Sequence, residues 1–142
     1  MAGTLTLRVI TPDRIALDAE VEALRVPAVD GSLGILPRHA PLVAALDSGL
    51  LRYTSAGRER VLFVSGGFAE VRGSTVRVVT EAGEKPEEID ESRAREAEKR
   101  ARERLAGTIK PLEGEPLDLV RAELSLRRAI WRLRASEFRG GE

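Results

Sequence analysis

Gly31-Ser-Leu-Gly-Ile-Leu-Pro-Arg-His-Ala-Pro-Leu42 is the stretch from which the fold of this chain is predicted. It carries His39, the one histidine of the chain, between Pro37 and Pro41. Glycines adopt backbone angles that are closed to other residues, and each proline fixes its own φ angle and favours extended geometry in the residue before it. We therefore expect a rigid, shaped loop that connects β-strands.

On both sides of this loop, from Leu5 to about Thr80, apolar residues occur in short alternating or β-branched runs. Turn signals such as Ala56-Gly57 and Gly73-Ser74 separate the runs. This pattern predicts eight to ten short strands that form an antiparallel β-sandwich or flattened barrel. The pair Gly66-Gly67 predicts a bulge or a close approach of two backbones.

The pattern changes after Gly83, where good helix formers replace the alternating residues. One helix is predicted from Glu87 to Leu105, with Asp90 as a candidate cap, and a second from about Leu117 to Phe138. We expect a stripe of alanines and other apolar residues on the first helix to face leucines on the second: Ile89, Ala94, Ala97, Ala101 and Leu105 against Leu117, Val120, Leu124 and Trp131. The fold class is then α+β, with a sandwich over residues 1–84 and an antiparallel two-helix hairpin over residues 85–142. Because the stripe is thin, docking of the hairpin is worth a few kcal/mol at most.

The composition restricts the class of function. The chain has 23 basic and 23 acidic residues, so no net field draws it to nucleic acid or anionic lipid. It has no cysteine, which excludes disulfides and thiolate metal sites. The amino terminus lacks the pattern of a signal peptide, and no apolar run approaches the roughly 20 residues of a membrane helix. We expect a soluble intracellular protein that reaches a membrane only through partners.

Four segments occur in an order that is typical of one family. They are Leu7–Pro12, Gly34–Leu42, Val64–Val71 and Ile89–Ala94, the last with the pattern Ile-Asp-x-x-Arg-Ala. Together with the order of sandwich and hairpin, they resemble the epsilon subunit of bacterial-type F-type ATP synthases across the whole chain. The resemblance implies a non-catalytic rotor subunit of the central stalk in a proton-translocating enzyme, with no required cofactor. It also implies a peripheral location on the cytoplasmic face of the bacterial inner membrane.

The resemblance implies two partners for the sandwich, the gamma subunit and the ring of c subunits. The segment from Asp30 to His39 corresponds to the loop that faces the ring, which makes Asp30, Ser32, Arg38 and His39 the candidate contact residues. Ser32 departs from the family pattern, since some relatives have an acidic residue there. For His39 two interpretations stay open: a direct ring contact, or a histidine that holds a proline-rich loop together by hydrogen bonds. A metal site is disfavoured because a lone histidine lacks partner ligands.

In some bacterial relatives the folded hairpin binds ATP without hydrolysing it. The corresponding acidic and arginine residues of this chain are Glu84, Asp90, Arg93, Arg100, Arg128 and Arg132. Guanidinium groups offer paired donors to phosphate oxygens, which makes ATP a sensible regulatory ligand. The competing interpretation is that these residues form ordinary surface ion pairs, because arginine is common throughout the chain. No P-loop and no constellation for catalysis is present in the sequence.

The second predicted helix is basic, with six arginines and two glutamates between Leu119 and Arg139, a net charge of +4. In the family, an extended hairpin inhibits ATP hydrolysis by contacting the alpha and beta catalytic subunits, and this charge suits acidic loops there. The alternative hypothesis is a free-standing β-sandwich that binds a ligand and self-associates through its hairpin. An enzyme that acts through His39 is a poor third, because no orienting carboxylate or nucleophile accompanies it.

Overall fold

The structure is a computed structural model that describes residues 3–107 and 118–139. The predicted start of the second helix at Leu117 lies outside these residues. The strands are β1 (Leu5–Ile10), β2 (Ile15–Val21), β3 (Ala23–Ala28), β4 (Gly31–Ile35), β5 (Leu42–Ser55), β6 (Arg58–Arg72), β7 (Thr75–Val79) and β8 (Gly83–Glu84). The helices are α1 (Glu91–Leu105) and α2 (Leu119–Ser136), and a 3-10 turn covers Pro86–Glu88.

The strands form one hydrogen-bonded sheet in the order β2-β1-β7-β6-β5-β3-β4, with β8 beside β6. Its pairs are antiparallel except for β1 and β7, which run parallel. The predicted class, a mainly antiparallel β domain followed by two helices, is confirmed.

The number of strands agrees with the prediction of eight to ten, but the length of two of them does not. The described residues contain eight, and β5 and β6 have 14 and 15 residues. At about 3.3 Å per residue each of these two strands is about 46 Å long. In β5 the buried positions change from even to odd between Leu46 and Leu51, across the buried Gly49. The chain therefore changes its buried face within one long strand, and no strand ends between Leu42 and Ser55.

The predicted loop from Asp30 to His39 is also partly wrong, because its first half is strand β4. Residues Gly31–Ile35 pair antiparallel with Leu24–Ala28 of β3. The ladder hydrogen bonds and the burial of Ile35 outweigh the weak strand preference of two glycines. Only residues 36–41 form a loop, and Arg38 has a φ angle of 69° there.

The core of the sheet is built from alternating residues of the strands. Leu5, Leu7 and Val9 of β1 are fully buried, and they belong to the same cluster as Leu62 and Val64 of β6. This cluster contains no residue beyond Val78. The sheet therefore has a core of its own, which does not depend on the helices.

A close backbone approach at Gly67 confirms part of the prediction made for the glycine pair. Gly67 has a φ angle of 98°, and a Cβ atom there would lie 1.8 Å from the carbonyl oxygen of Val79 on the neighbouring strand. The register between β5 and β6 is unbroken across this point, with Leu46 opposite Gly67 and Ser48 opposite Ser65. The glycine is needed for the fit between β6 and β7, and no bulge separates β5 from β6.

The first helix begins at Glu91 and not at Glu87. Ile89 has extended backbone angles and its side chain is buried, so the chain is pulled out of the helical conformation at this point. Asp90 is then the N-cap, and its carboxylate accepts a hydrogen bond from the backbone N–H of Arg93. The predicted capping role of Asp90 is confirmed. Asp118 caps α2 in the same way through the N–H of Arg121.

The interface between the two helices differs from the expected alanine–leucine pairing. The buried residues of α1 are Ala94 and Ala101, and those of α2 are Ala122, Ala129, Ala135 and Ser136. Val120 and Leu124 are 68% and 45% exposed. Small residues on both helices allow a close approach of the two backbones.

We expect Gly67→Ala to lower the free energy of unfolding by about 3 kcal/mol or more, because the added methyl group meets the backbone of β7 and no side chain can yield. Gly73→Ala is the matched control. Gly73 also has a positive φ angle but open space around its Cα, so about 1 kcal/mol is expected. Urea unfolding of both variants checks this, and equal losses would contradict it.

Candidate functional site where the hairpin meets the sheet

The hairpin rests on the sheet through a second, smaller apolar cluster. Phe63 of β6 is fully buried and packs with Ile89 and Ala135, and Trp131 is partly buried against them. Phe63 lies between Leu62 and Val64, which belong to the core of the sheet. In a strand, successive side chains point to opposite faces, so the hairpin covers the outer face of β6 at this point.

Glu84 and Arg132, two of the predicted ATP-binding residues, contact each other in this cluster. Strand β8 pairs Glu84 directly with Phe63, which places both side chains on one face of the sheet. Arg132 donates from Nε and Nη2 to the two carboxylate oxygens of Glu84, at 2.9 and 3.0 Å. Its guanidinium also lies 4.8 Å from the centre of the Phe63 ring. With side chains 30% and 25% exposed, this bidentate pair is partly shielded from water.

The other four predicted residues lie on the two helices. Asp90 is occupied as the cap of α1, and Arg93 follows it with an exposed side chain. Arg100 is exposed and lies 4.0 Å from Glu96. Arg128 is half-buried and donates to the hydroxyl of Ser125 at 3.1 Å. Across the described part of the chain, Glu84–Arg132 is the one pair of these six whose side chains contact each other.

Two further ties, which the sequence did not indicate, connect the end of α2 to the start of α1. Arg139 donates to the backbone carbonyls of Pro86, at 3.1 Å from Nη2, and of Ile89. The hydroxyl of Ser136 lies 3.1 Å from a carboxylate oxygen of Glu91. Capping of a 3-10 turn by a residue about 50 positions away depends on tertiary placement, so no local pattern could have revealed Arg139. Most polar ties of the hairpin lie at this end, and Arg127 adds one to Asp47 of β5 from the middle of α2.

The predicted ring-contact residues lie at the two ends of β4. Asp30 is exposed in the turn before the strand, and Ser32 accepts a hydrogen bond from Nε of Arg25 at 3.0 Å. Arg38 and His39 follow the strand, about 13 Å further along at the rise of a β-strand. The backbone N–H of His39 donates to Leu36, and its Nδ1 lies 2.7 Å from the carbonyl oxygen of Ala40. The imidazole of His39 thus contacts the next residue of its own loop, and a contact with the ring stays a prediction.

A cavity of about 290 Å³ lies beside the junction, between the sheet and the end of α2. Its lining includes Tyr53, Lys85, Glu87 and Phe138. Burial raises the pKa of the Tyr53 phenol, and the positive charge of Arg60 offsets part of this shift. The cavity therefore favours the neutral phenol over a phenolate.

Residues 3–107 and 118–139 hold no group of three or more histidine or acidic side chains placed to bind a metal ion. Neither described helix is long and apolar enough to cross a membrane.

Comparison with known proteins places the chain in a family. The family model of the β-sandwich domain of the ATP synthase delta/epsilon chain matches residues 4–86, and the model of its long α-helix domain matches residues 87–137. The ATP synthase epsilon chain of Desulforamulus reducens is 41% identical over 96% of this chain and 100% of its own length. The epsilon chain of Syntrophomonas wolfei is 44% identical over 95% of this chain and 96% of its own length.

The fold has a counterpart among solved structures. In the mitochondrial ATP synthase of Euglena gracilis, solved as OSCP, F1 and c-ring, one chain superposes with a TM-score of 0.76 and 24% identity. The match covers 94% of this chain and 81% of that one. A chain from the central stalk and c-ring of Tetrahymena thermophila mitochondrial ATP synthase superposes with a TM-score of 0.54 and 14% identity.

A β-sandwich that carries a docked helical hairpin, matched in both parts, defines a class of small ATP synthase subunits. The chain belongs to the ATP synthase delta/epsilon family, and its curated relatives are epsilon chains. The resemblance to the epsilon subunit is thus confirmed, and with it the role of the chain as a subunit of ATP synthase.

We expect Glu84→Gln and Arg132→Gln each to weaken docking of the hairpin by about 1–2 kcal/mol, because each leaves one partner of a partly buried pair without its counter-charge. The double variant should lose less than the sum of the two. Fluorescence of Trp131, the one tryptophan of the chain, measures docking during urea titration.

Arg95→Gln is the control for this pair. It removes an exposed ion pair with Glu91, in which the arginine side chain is 68% exposed, so an effect below about 0.5 kcal/mol is expected. If the effects of Glu84→Gln and Arg132→Gln simply add, the two residues do not act as a pair.

Proposed function

We propose that the chain is a rotor subunit of the central stalk, in which the sandwich binds the gamma subunit and the c-ring. Family membership supports this, and so do the neighbours in fold, whose descriptions name the F1 part, the central stalk and the c-ring. On this proposal the subunit is peripheral, on the cytoplasmic face of a bacterial inner membrane, and contributes no catalytic site of its own.

The surface around the loop of residues 36–41 suits a protein contact at the ring. Leu36 is 62% exposed, although it is a large apolar residue, and Arg38 is exposed beside it. Asp30 and Ser32 lie at the other end of β4, next to Val29, which is 62% exposed. The edge strand β4 thus has an exposed contact point at each end. Two such points suit a partner whose surface repeats, such as a ring of identical subunits, better than a single pocket would.

We propose further that the hairpin is mobile and inhibits ATP hydrolysis when it is undocked. The observation that carries this proposal is the small contact that holds the hairpin: Phe63, Ile89 and Ala135 form the buried part, and the facing helices meet through alanines. Each buried methyl group contributes roughly 0.8 kcal/mol, so this contact is weak beside the core of the sheet. A partner that binds the undocked hairpin therefore has only a small free energy of docking to overcome.

The exposed arginines of α2 supply the charge for an inhibitory contact with the catalytic alpha and beta subunits. Arg121 and Arg134 are exposed while the hairpin is docked. Arg132 is engaged with Glu84 of the sheet, and undocking would release its guanidinium group. The released helix is therefore more basic at its surface than the docked one.

ATP is proposed as the ligand that favours the docked form. Arg132 and Arg128 lie one turn apart on α2, and Glu84 fixes the orientation of Arg132. A nucleotide that binds only the folded hairpin stabilises it by mass action. Glu84 already pairs with the guanidinium of Arg132. A phosphate group that binds Arg132 would therefore replace the carboxylate of Glu84.

We expect truncation after Lys85 to raise ATP hydrolysis by the assembled ATP synthase severalfold, because the sandwich keeps its own core and the basic helix is gone. Arg121→Gln with Arg134→Gln should raise hydrolysis in part. The same exchange at Arg8 and Arg77, exposed arginines of the sheet, is the control and should change nothing. Hydrolysis that stays unchanged after truncation would contradict an inhibitory hairpin.

We expect calorimetric titration of the isolated protein to show saturable ATP binding that weakens about tenfold or more in Arg93→Ala and in Arg128→Ala, since each removes a charged donor to phosphate. Arg95→Ala and Arg121→Ala remove exposed arginines of the same helices and should bind as the parent does. If the titration shows no heat of binding up to millimolar ATP, ATP is not a ligand of the hairpin. The proposed role in the stalk does not depend on this result.

A further inference from the structure

Three arginines from different elements line one groove between α2 and the sheet. They are Arg25 of β3, Arg52 of β5 and Arg127 of α2, and the groove has a volume of about 450 Å³. The hydroxyl groups of Ser32 and Ser48 also line it. The proposed ATP-binding set contains none of these residues.

Arg25 and Arg52 are directly opposite each other on neighbouring strands. Like charges in this position destabilise a sheet, so folding alone gives no reason for the pair. Arg25 donates from Nε to the hydroxyl of Ser32, and among the described residues it has no ion pair. Gly34 leaves room for its guanidinium, because a Cβ atom there would lie 3.0 Å from Nη1. An anion between the two arginines would remove the repulsion.

Three carboxylates lie near the groove, and they contact two of its three arginines. Asp47 lines the groove and lies 3.4 Å from Arg127. Glu59 contacts Arg52 at 3.5 Å, and its side chain is 65% exposed. Glu123 contacts Arg127 at 3.3 Å from the next turn of α2. These contacts join exposed side chains and are weak. The guanidinium of Arg52 also lies 5.4 Å from the centre of the Phe138 ring. Arg25 makes none of these contacts, so its guanidinium is available to a ligand.

We propose that this groove is a binding site for a phosphoryl group, carried by a small soluble anion or by a lipid headgroup. Guanidinium groups and hydroxyls are the donors that phosphate oxygens accept from in proteins. The groove is bounded by the helix on one side and the sheet on the other, which suits a small anion better than the flat surface of a partner protein.

The site is separate from the nucleotide site proposed above. Arg127 and Arg128 are consecutive residues of α2, and consecutive side chains project from a helix in directions about 100° apart. Arg127 reaches Asp47 on the sheet, whereas Arg128 donates to Ser125 on its own helix. Because Arg127 belongs to the hairpin and Arg25 to the sheet, a bound anion connects the two parts and favours docking. This last consequence rests on the proposed mobility of the hairpin.

The test is a titration of the full chain with inorganic pyrophosphate at constant ionic strength, followed by calorimetry and by the fluorescence of Trp131, which also lines the groove. We expect saturable binding that weakens about tenfold or more in Arg25→Gln and in Arg127→Gln, as loss of a charged hydrogen bond implies. Arg77→Gln, an exposed arginine of the sheet away from the groove, should bind as the parent does. Arg93→Ala should also retain pyrophosphate binding, whatever its effect on ATP.

Sedimentation with phosphatidylglycerol vesicles distinguishes the two sources of the phosphoryl group. Vesicle binding that is lost in Arg25→Gln assigns a lipid headgroup, and pyrophosphate binding without sedimentation assigns a soluble anion. Absence of saturable pyrophosphate binding overturns the proposal, and so does an equal loss in Arg77→Gln. If pyrophosphate does not bind but Arg25→Gln weakens incorporation into ATP synthase, the arginines serve a protein partner instead.

Discussion

Burial of strand β6 on both faces determines how the two parts of this subunit are joined. Leu62 faces the core of the sheet, and Phe63, the next residue, faces outward and is nevertheless fully buried. A buried aromatic ring on an outer face needs a cover, which the hairpin supplies with Ile89 and Ala135. The position of both helices thus depends on contact with one ring and the residues around it.

The hairpin is anchored at one end. Arg132 near the end of α2 pairs with Glu84 of the sheet, while Ser136 and Arg139 tie the end of α2 to Glu91 and to backbone carbonyls at the start of α1. Toward the start of α2, Val120 and Leu124 are exposed, and the contact between the helices is made by alanines. Because alanine buries little area, the described part of the hairpin has little to hold it beyond this end except the exposed ion pair of Arg127 with Asp47. Such an arrangement favours release as one unit once that end is lost.

The sequence predicted the class of fold and the cap at Asp90, because alternation, helix formers and capping residues are local signals. It did not predict the lengths of β5 and β6, since a strand that changes its buried face looks like two strands with a turn between them. It also missed the alanine contact between the helices. Leucines at helical spacing predict a buried face, but the spacing does not show whether another element covers that face. Within the site, Glu84 and Arg132 were identified by resemblance, but their mutual ion pair depends on the pairing of β8 with Phe63, which no local pattern reveals.

The arginines of α2 serve different purposes according to their position on the helix, which a net charge of +4 does not show. Arg132 holds the hairpin to Glu84 of the sheet, and Arg121 and Arg134 are exposed. If the hairpin inhibits hydrolysis in its released form, Arg132 joins the exposed arginines only after release. Docking and inhibition then use the guanidinium group of Arg132 in mutually exclusive ways, so any ligand that strengthens the docked contacts weakens inhibition by the same free energy.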